Sequence, residues 1–114
     1  MNQNFTEPII VLKTVNLYQD FYQEVRKWPK PEKYNLGAKC EQILIDLLTH
    51  FLAAARHINP KFNLIQANLQ LQLLKLLIRI AKNIDIIQIK KYLFFEQKIV
   101  EIGKMLGGWL KNLK

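Results

Sequence analysis

The stretch Leu64-Ile65-Gln66-Ala67-Asn68-Leu69-Gln70-Leu71-Gln72-Leu73-Leu74-Lys75-Leu76-Leu77-Ile78-Arg79-Ile80-Ala81-Lys82 decides the fold class. Leu64, Ala67, Leu71, Leu74, Ile78 and Ala81 step by three and four, the interval at which an α-helix returns to one face. Leu69, Leu73, Leu76, Leu77 and Ile80 widen the apolar surface beyond that face. A helix over about 64–84 with so much apolar surface is expected to lie centrally in a bundle or to be shared with another subunit.

The same helix is one-sided in charge. Residues 47–84 contain no Asp or Glu but do contain Arg56, Lys61, Lys75, Arg79 and Lys82. Residues 1–60 carry 7 Lys/Arg and 6 Asp/Glu, net +1, whereas residues 61–114 carry 10 and 3, net +7, which together make the formal +8. A localised positive field usually faces an anionic partner. The pI near 9.7 points to nucleic acid first and an anionic membrane surface second. Lys75, Arg79 and Lys82 are spaced by four and three, so they share a helix face, where like charges cost a few tenths of a kcal/mol per pair. Asp85, three residues after Lys82, is the nearest acid. Phosphates outside the helix would relieve this repulsion; a solvated face of unpartnered cations is the plainer alternative.

Toward the C-terminus, Tyr92, Phe95, Ile99, Ile102, Leu106, Trp109 and Leu113 keep the three-four step and predict a helix over about 87–113, with Phe94 and Leu110 beside the stripe. Gly103, Gly107 and Gly108 fall inside it, each costing roughly 1 kcal/mol relative to alanine. Close approach of another helix would offset that cost, whereas the alternative ends the helix at Gly107-Gly108. The apolar period continues to Leu113 and favours close packing, so Gly103, Gly107, Gly108, Trp109, Phe94 and Leu110 are expected as packing or subunit-contact residues. Lys90, Lys104 and Lys111 fall on one heptad position, and Lys91 with Lys98 on the adjacent one. Phosphate contact fits these lysines. So does ordinary ion pairing, since Glu101 is three residues from both Lys98 and Lys104, and Lys111 suits a helix C-terminus.

Toward the N-terminus, Leu36, Cys40, Ile43, Leu47, Phe51, Ala54 and Ile58 predict a helix over about 36–57, with Asn35 as N-cap and Asn59-Pro60 as the following turn. Val11, Val15, Tyr18, Tyr22 and Val25, flanked by Ile10, Leu17, Phe21 and Trp28, predict another over about 7–28, with Thr6 as N-cap. Pro29 and Pro31 stop it. Four helices of about 30 Å, joined by short connections, predict an all-α, single-domain, antiparallel up-down-up-down four-helix bundle. The excess apolar surface on the last two predicts burial between the protomers of a homo-oligomer.

Catalytic signals are poor. His50 and His57 are two turns apart with Asp46 nearby, a weakly metal-like arrangement that reads as structural, and Cys40 sits on the core stripe. There is no nucleophile–His–acid set and no glycine-rich phosphate loop, so a non-enzyme without metal or cofactor is expected. The lone cysteine suits a reducing cytosol. The apolar run 8–12 is too short for a secretion signal, and no run approaches the ~18 residues of a membrane span. A cytoplasmic protein without a membrane partner is therefore expected. In the first connection, bases alternate with Trp28 and Tyr34, which either stack on nucleobases or clamp the loop to the bundle.

Three stretches carry a resemblance. They are Lys33-Tyr34-Asn35-Leu36-Gly37-Ala38-Lys39-Cys40-Glu41-Gln42-Ile43 after a Trp-Pro-Lys-Pro lead, Leu73-Leu74-Lys75-Leu76-Leu77-Ile78-Arg79-Ile80-Ala81-Lys82, and Val100-Glu101-Ile102-Gly103-Lys104-Met105-Leu106-Gly107-Gly108-Trp109-Leu110-Lys111. Together they resemble the accessory variability determinants of diversity-generating retroelements, within the four-helix-bundle proteins related to the 23S rRNA intervening-sequence family. The resemblance implies a basic homopentameric barrel that binds the retroelement's reverse transcriptase and RNA or DNA and supports mutagenic copying of template RNA into cDNA. It maps the family's basic surface onto Lys75, Arg79, Lys82 and Lys104, and its packing motif onto Gly103, Gly107, Gly108 and Trp109. An rRNA-associated intervening-sequence protein, a membrane-active basic amphipathic protein and a plain interaction scaffold are the alternatives.

Overall fold

The computed structural model describes residues 8–113, so the expected Thr6 cap and the Glu7 start lie outside the described residues. Four main helices follow one another: α1 Ile9–Val25, α2 Ala38–Ala55, α3 Pro60–Asn83 and α4 Ile89–Lys111. No strand occurs among the described residues. Helix α1 packs on α2 and α4, and α3 likewise packs on α2 and α4, so the four enclose one core. No helix among the described residues is long and apolar enough to cross a membrane.

The predicted stripes of α2, α3 and α4 line that core. Cys40, Ile43, Leu47, Phe51 and Ala54 are buried, as are Leu64, Ala67, Leu71, Leu74, Ile78 and Ala81, and Tyr92, Phe95, Ile99, Ile102 and Leu106. Ile58 is exposed, because the chain has left α2 before reaching it. On α1 the expected stripe is displaced. Leu17, Phe21 and Trp28 are buried, whereas Val15 and Tyr18 are half-buried and Tyr22 is exposed. Thr14 completes the inner face by donating its hydroxyl to the Ile10 carbonyl at 2.7 Å. This satisfied hydroxyl hid a core position from an apolar count.

Helix ends also differ from expectation. Helix α1 stops at Val25, three residues before Trp28. The next helical run starts early: Pro29 precedes a turn at Lys30–Glu32, with Pro31 in its first turn, and a π-helical segment Lys33–Gly37 then leads into α2. Pro31 thus opens a helix rather than closing one, since a first-turn proline gives up a donor that has no partner there. Asn35 lies within the π segment and makes no cap hydrogen bond. Helix α2 ends at Ala55, α3 begins at Pro60, and α4 begins at Ile89. His57 and Asp85, both at φ 63°, terminate α2 and α3 in Schellman geometry. The Ile58 amide donates to the Ala53 carbonyl, and the Ile86 amide to the Ala81 carbonyl.

The close approach expected at Gly107-Gly108 is absent among the described residues, since none of them would lie within 4 Å of a Cβ at either position, and a Cβ at Gly103 would make ordinary contact with Leu71. Helix α4 nevertheless runs through both glycines, and Trp109 stacks on Phe51 of α2 at 6.4 Å. The tight contact lies instead at Gly37, where a Cβ would stand 2.6 Å from Cγ1 of Val25 and 3.4 Å from the Glu32 carbonyl oxygen. Gly→Ala in a helix ordinarily gains about 1 kcal/mol. Here Val25 is buried and its branched side chain is stiff. Gly37→Ala is therefore expected to destabilise by about 1–3 kcal/mol in chemical denaturation. A stability gain would mean that the end of α1 can give way.

Candidate nucleic-acid interface

Burial of the 64/67/71/74/78/81 stripe turns Lys75 and Arg79 of α3 outward, beside α4. Two adjoining recesses of about 280 Å³ each lie along this groove and share Gln72 and Lys75. One is also lined by Arg79, Tyr92 and Glu96, the other by Val100, Gly103 and Lys104. Lys82 lines neither recess, but its Nζ lies 4.7 Å from the centroid of the Tyr92 ring, which lines one of them. The structure thus brings together Lys75, Arg79, Lys82 and Lys104, four residues that are far apart in sequence only at Lys104.

The electrostatics of the groove are unbalanced. Glu96 is the carboxylate lining these recesses, and it accepts a hydrogen bond from the Tyr92 hydroxyl at 3.1 Å. The Tyr92 phenol is pushed up from its ordinary pKa by burial, then by the hydrogen bond and charge of Glu96, with Arg79 opposing. It therefore stays a neutral donor at physiological pH. None of the four cations forms an ion pair with a described carboxylate. Asp85 does not neutralise Lys82, which turns toward the Tyr92 face, a contact worth about 0.5–2 kcal/mol.

The remaining candidates lie elsewhere. Lys98 lines the groove between α1 and α4, and Lys91 lines a recess with Lys27, Trp28 and Gln88 at the end of the molecule. Both ammonium groups approach the Phe94 ring, at 5.5 and 5.0 Å. Lys98 and Lys104 both line a recess along α4 that also holds Glu96 and Glu101. Lys90 and Lys111 are exposed and line none of these recesses. Glu101 pairs with neither Lys98 nor Lys104 but with Lys13 of α1, at 2.7 Å. The Lys13 hydrogen bond holds the Glu101 carboxyl below its usual range. The stabilisation from this pair is full above the ordinary carboxylate pKa and is lost as pH falls through Glu101's depressed one.

Phe94 and Leu110, expected at packing contacts, are half-buried against the core. His50 has a structural partner, since its Nδ1 lies 2.8 Å from Oδ1 of Asn63. The Asn63 amide donates to the Ile58 and Asn59 carbonyls, which ties α2 to the start of α3. Cys40 is buried, and its thiol is pushed up to about 12, first by burial and then by Glu41, so it is an unreactive core group. Trp28 clamps the first connection: its indole donates to the buried Glu24 carboxylate at 3.0 Å. Sequence reasoning missed Glu96 and Tyr92 as groove residues, although Tyr92 with Glu96 at i+4 is a local hydrogen-bonding signal.

No curated protein and no solved structure gives a significant match. A family model described as bAvd-like matches residues 8–113. That span takes in all four helices, the basic groove and the Gly-Gly-Trp ending. The chain belongs to the bAvd-like family, an accessory family of the Avd type.

Proposed function

We propose that this chain is a non-catalytic accessory protein of a diversity-generating retroelement, working in the cytoplasm, whose α3–α4 groove holds template RNA or its cDNA beside the reverse transcriptase. The observation that carries this reading is the convergence of Lys75, Arg79, Lys82 and Lys104 on one groove, without an ion pair to any described acid. Such a surface neutralises phosphates and positions a strand while leaving base identity unread. Family membership supplies the accessory role.

In this reading the helices alternate in direction as an antiparallel bundle, and protomers close into a homopentameric ring. Support comes from a second apolar stripe on α3. Leu69, Leu73, Leu76 and Ile80 remain exposed after the core is filled, a surface that another subunit would cover. The open faces of Gly107 and Gly108 offer close approach to a neighbouring protomer.

The test is the affinity of the full chain for single-stranded RNA across a salt series, with light scattering to follow the oligomer. Contacts by four cations give a log–log slope of about −2.8, at roughly −0.7 per phosphate on single strands. Salt-insensitive association, or none at low salt, overturns the reading.

A further inference from the structure

The basic turn between α1 and α2 is not used by the groove. From Arg26 to Lys39 the chain carries five cations (Arg26, Lys27, Lys30, Lys33 and Lys39) against one acid, Glu32. None of the five has an ion pair with a described carboxylate. Three aromatics stand in or beside this turn, and the structure separates their roles. Trp28 is 4% exposed and bonded to Glu24. The Tyr22 ring is faced by the Arg26 guanidinium at 5.6 Å. Tyr34 is 67% exposed, and among the described residues its ring has no aromatic or cationic neighbour and its hydroxyl no hydrogen bond.

The backbone that carries Tyr34 belongs to a packed element. It lies in the π-helical segment Lys33–Gly37, and Gly37 at the end of that segment is seated directly on Val25 of α1. A π segment within a helical run is uncommon and often found where function requires it. An exposed aromatic ring on a helical backbone, in a stretch of chain with five cations and one acid, suits a flat, weakly hydrated and negatively tethered partner, which is an unpaired base on a phosphate backbone. A folded protein partner would ask for apolar surroundings, whereas residues 26–39 are rich in lysine and arginine. The location suits a strand that leaves the groove. Lys82, beside Tyr92 of the groove, lies near the end of α3, and the α3–α4 connection shares a recess with Lys27 and Trp28 of the basic turn.

We infer that Tyr34 is a stacking platform for an unpaired nucleobase of single-stranded nucleic acid whose phosphates are held by the lysines of the α1–α2 turn. This rests on the nucleic-acid reading of the protein and adds a second contact of a different kind to it. The experiment compares a single-stranded RNA oligonucleotide with an abasic strand of the same length and phosphate count, against the wild-type chain, Tyr34→Phe and Tyr34→Ala. Wild type and Tyr34→Phe bind the base-bearing strand about tenfold more tightly than the abasic one. Tyr34→Ala loses that preference and keeps the wild-type affinity for the abasic strand and the wild-type salt slope. A preference that survives in Tyr34→Ala, or a wild type indifferent to base removal, overturns the platform and leaves the groove reading intact. A wild type that binds neither strand overturns both. Circular dichroism of Tyr34→Ala checks that the turn still folds, as expected for so exposed a ring.

Discussion

Lys75→Glu combined with Arg79→Glu is expected to abolish RNA binding at physiological salt while the helical content and the oligomer survive. The double change leaves Lys82 and Lys104 facing three carboxylates where four cations faced Glu96 alone. Removing two phosphate contacts lowers the salt slope by about 1.4 units, and the new carboxylates repel the phosphates that remain nearby. The fold should tolerate the change, because both side chains are exposed and neither has an ion pair to lose. A glutamate at position 79 also gains Lys82 as an i+3 partner, where before there was repulsion. Net charge alone would predict a different outcome. The double variant still carries +4, from the +8 of the wild type less two reversals of two units each. Lys90→Glu with Lys111→Glu reaches the same +4 without touching the groove, so it is expected to keep most of the affinity. Equal loss in both variants would mean that total charge, not the groove, governs binding, and full retention in the first would remove the groove from the mechanism.

The groove was partly legible because its α3 half rests on helical period alone. Once Leu71, Leu74, Ile78 and Ala81 turn inward, Lys75, Arg79 and Lys82 must share the remaining arc. Its α4 half was not legible in the period, and only the family resemblance pointed to Lys104, because which lysines of α4 lie beside α3 depends on the rotation of α4 about its axis. That rotation places Lys104 in the groove and Lys98 between α1 and α4, although both flank Glu101 by three residues. Glu101 itself shows the limit of local reading. Its partner is Lys13, 88 positions away in the chain, and no spacing rule reaches that far. The lead-in to α2 was hidden for a different reason. Two prolines in three residues read as a stop, yet Pro31 fits the first turn of a new helix, and a π segment has no simple apolar period by which to find it.

Phe21→Ala tests the point at which the apparent pattern and the actual core diverge most. Read by period alone, α1 offers two overlapping faces, Val11/Val15/Tyr18/Tyr22/Val25 and Ile10/Leu17/Phe21/Trp28. The structure fills the core with the second face plus Val11 and Val25 and leaves Tyr22 exposed. Phe21 is fully buried and meets Trp28 edge-on at 5.6 Å and Phe95 of α4 edge-on at 5.3 Å. Its ring therefore joins α1, the first connection and α4 at one place. Truncation removes the transfer energy of the ring and two edge-to-face contacts, and leaves a cavity walled by aromatic rings that cannot collapse into it. The expected loss is about 3–5 kcal/mol, a large share of the roughly 5–15 kcal/mol of a domain this size. Tyr22→Ala, one residue on, should cost roughly 1 kcal/mol or less, because its ring is already 43% exposed and is faced by the Arg26 guanidinium. Denaturant titrations at one fixed protein concentration make the comparison, since assembly would otherwise make stability concentration-dependent. Comparable losses from the two substitutions would mean that Tyr22 is covered in the assembled protein. In that event the outer face of α1, and not only that of α3, would belong to a subunit interface.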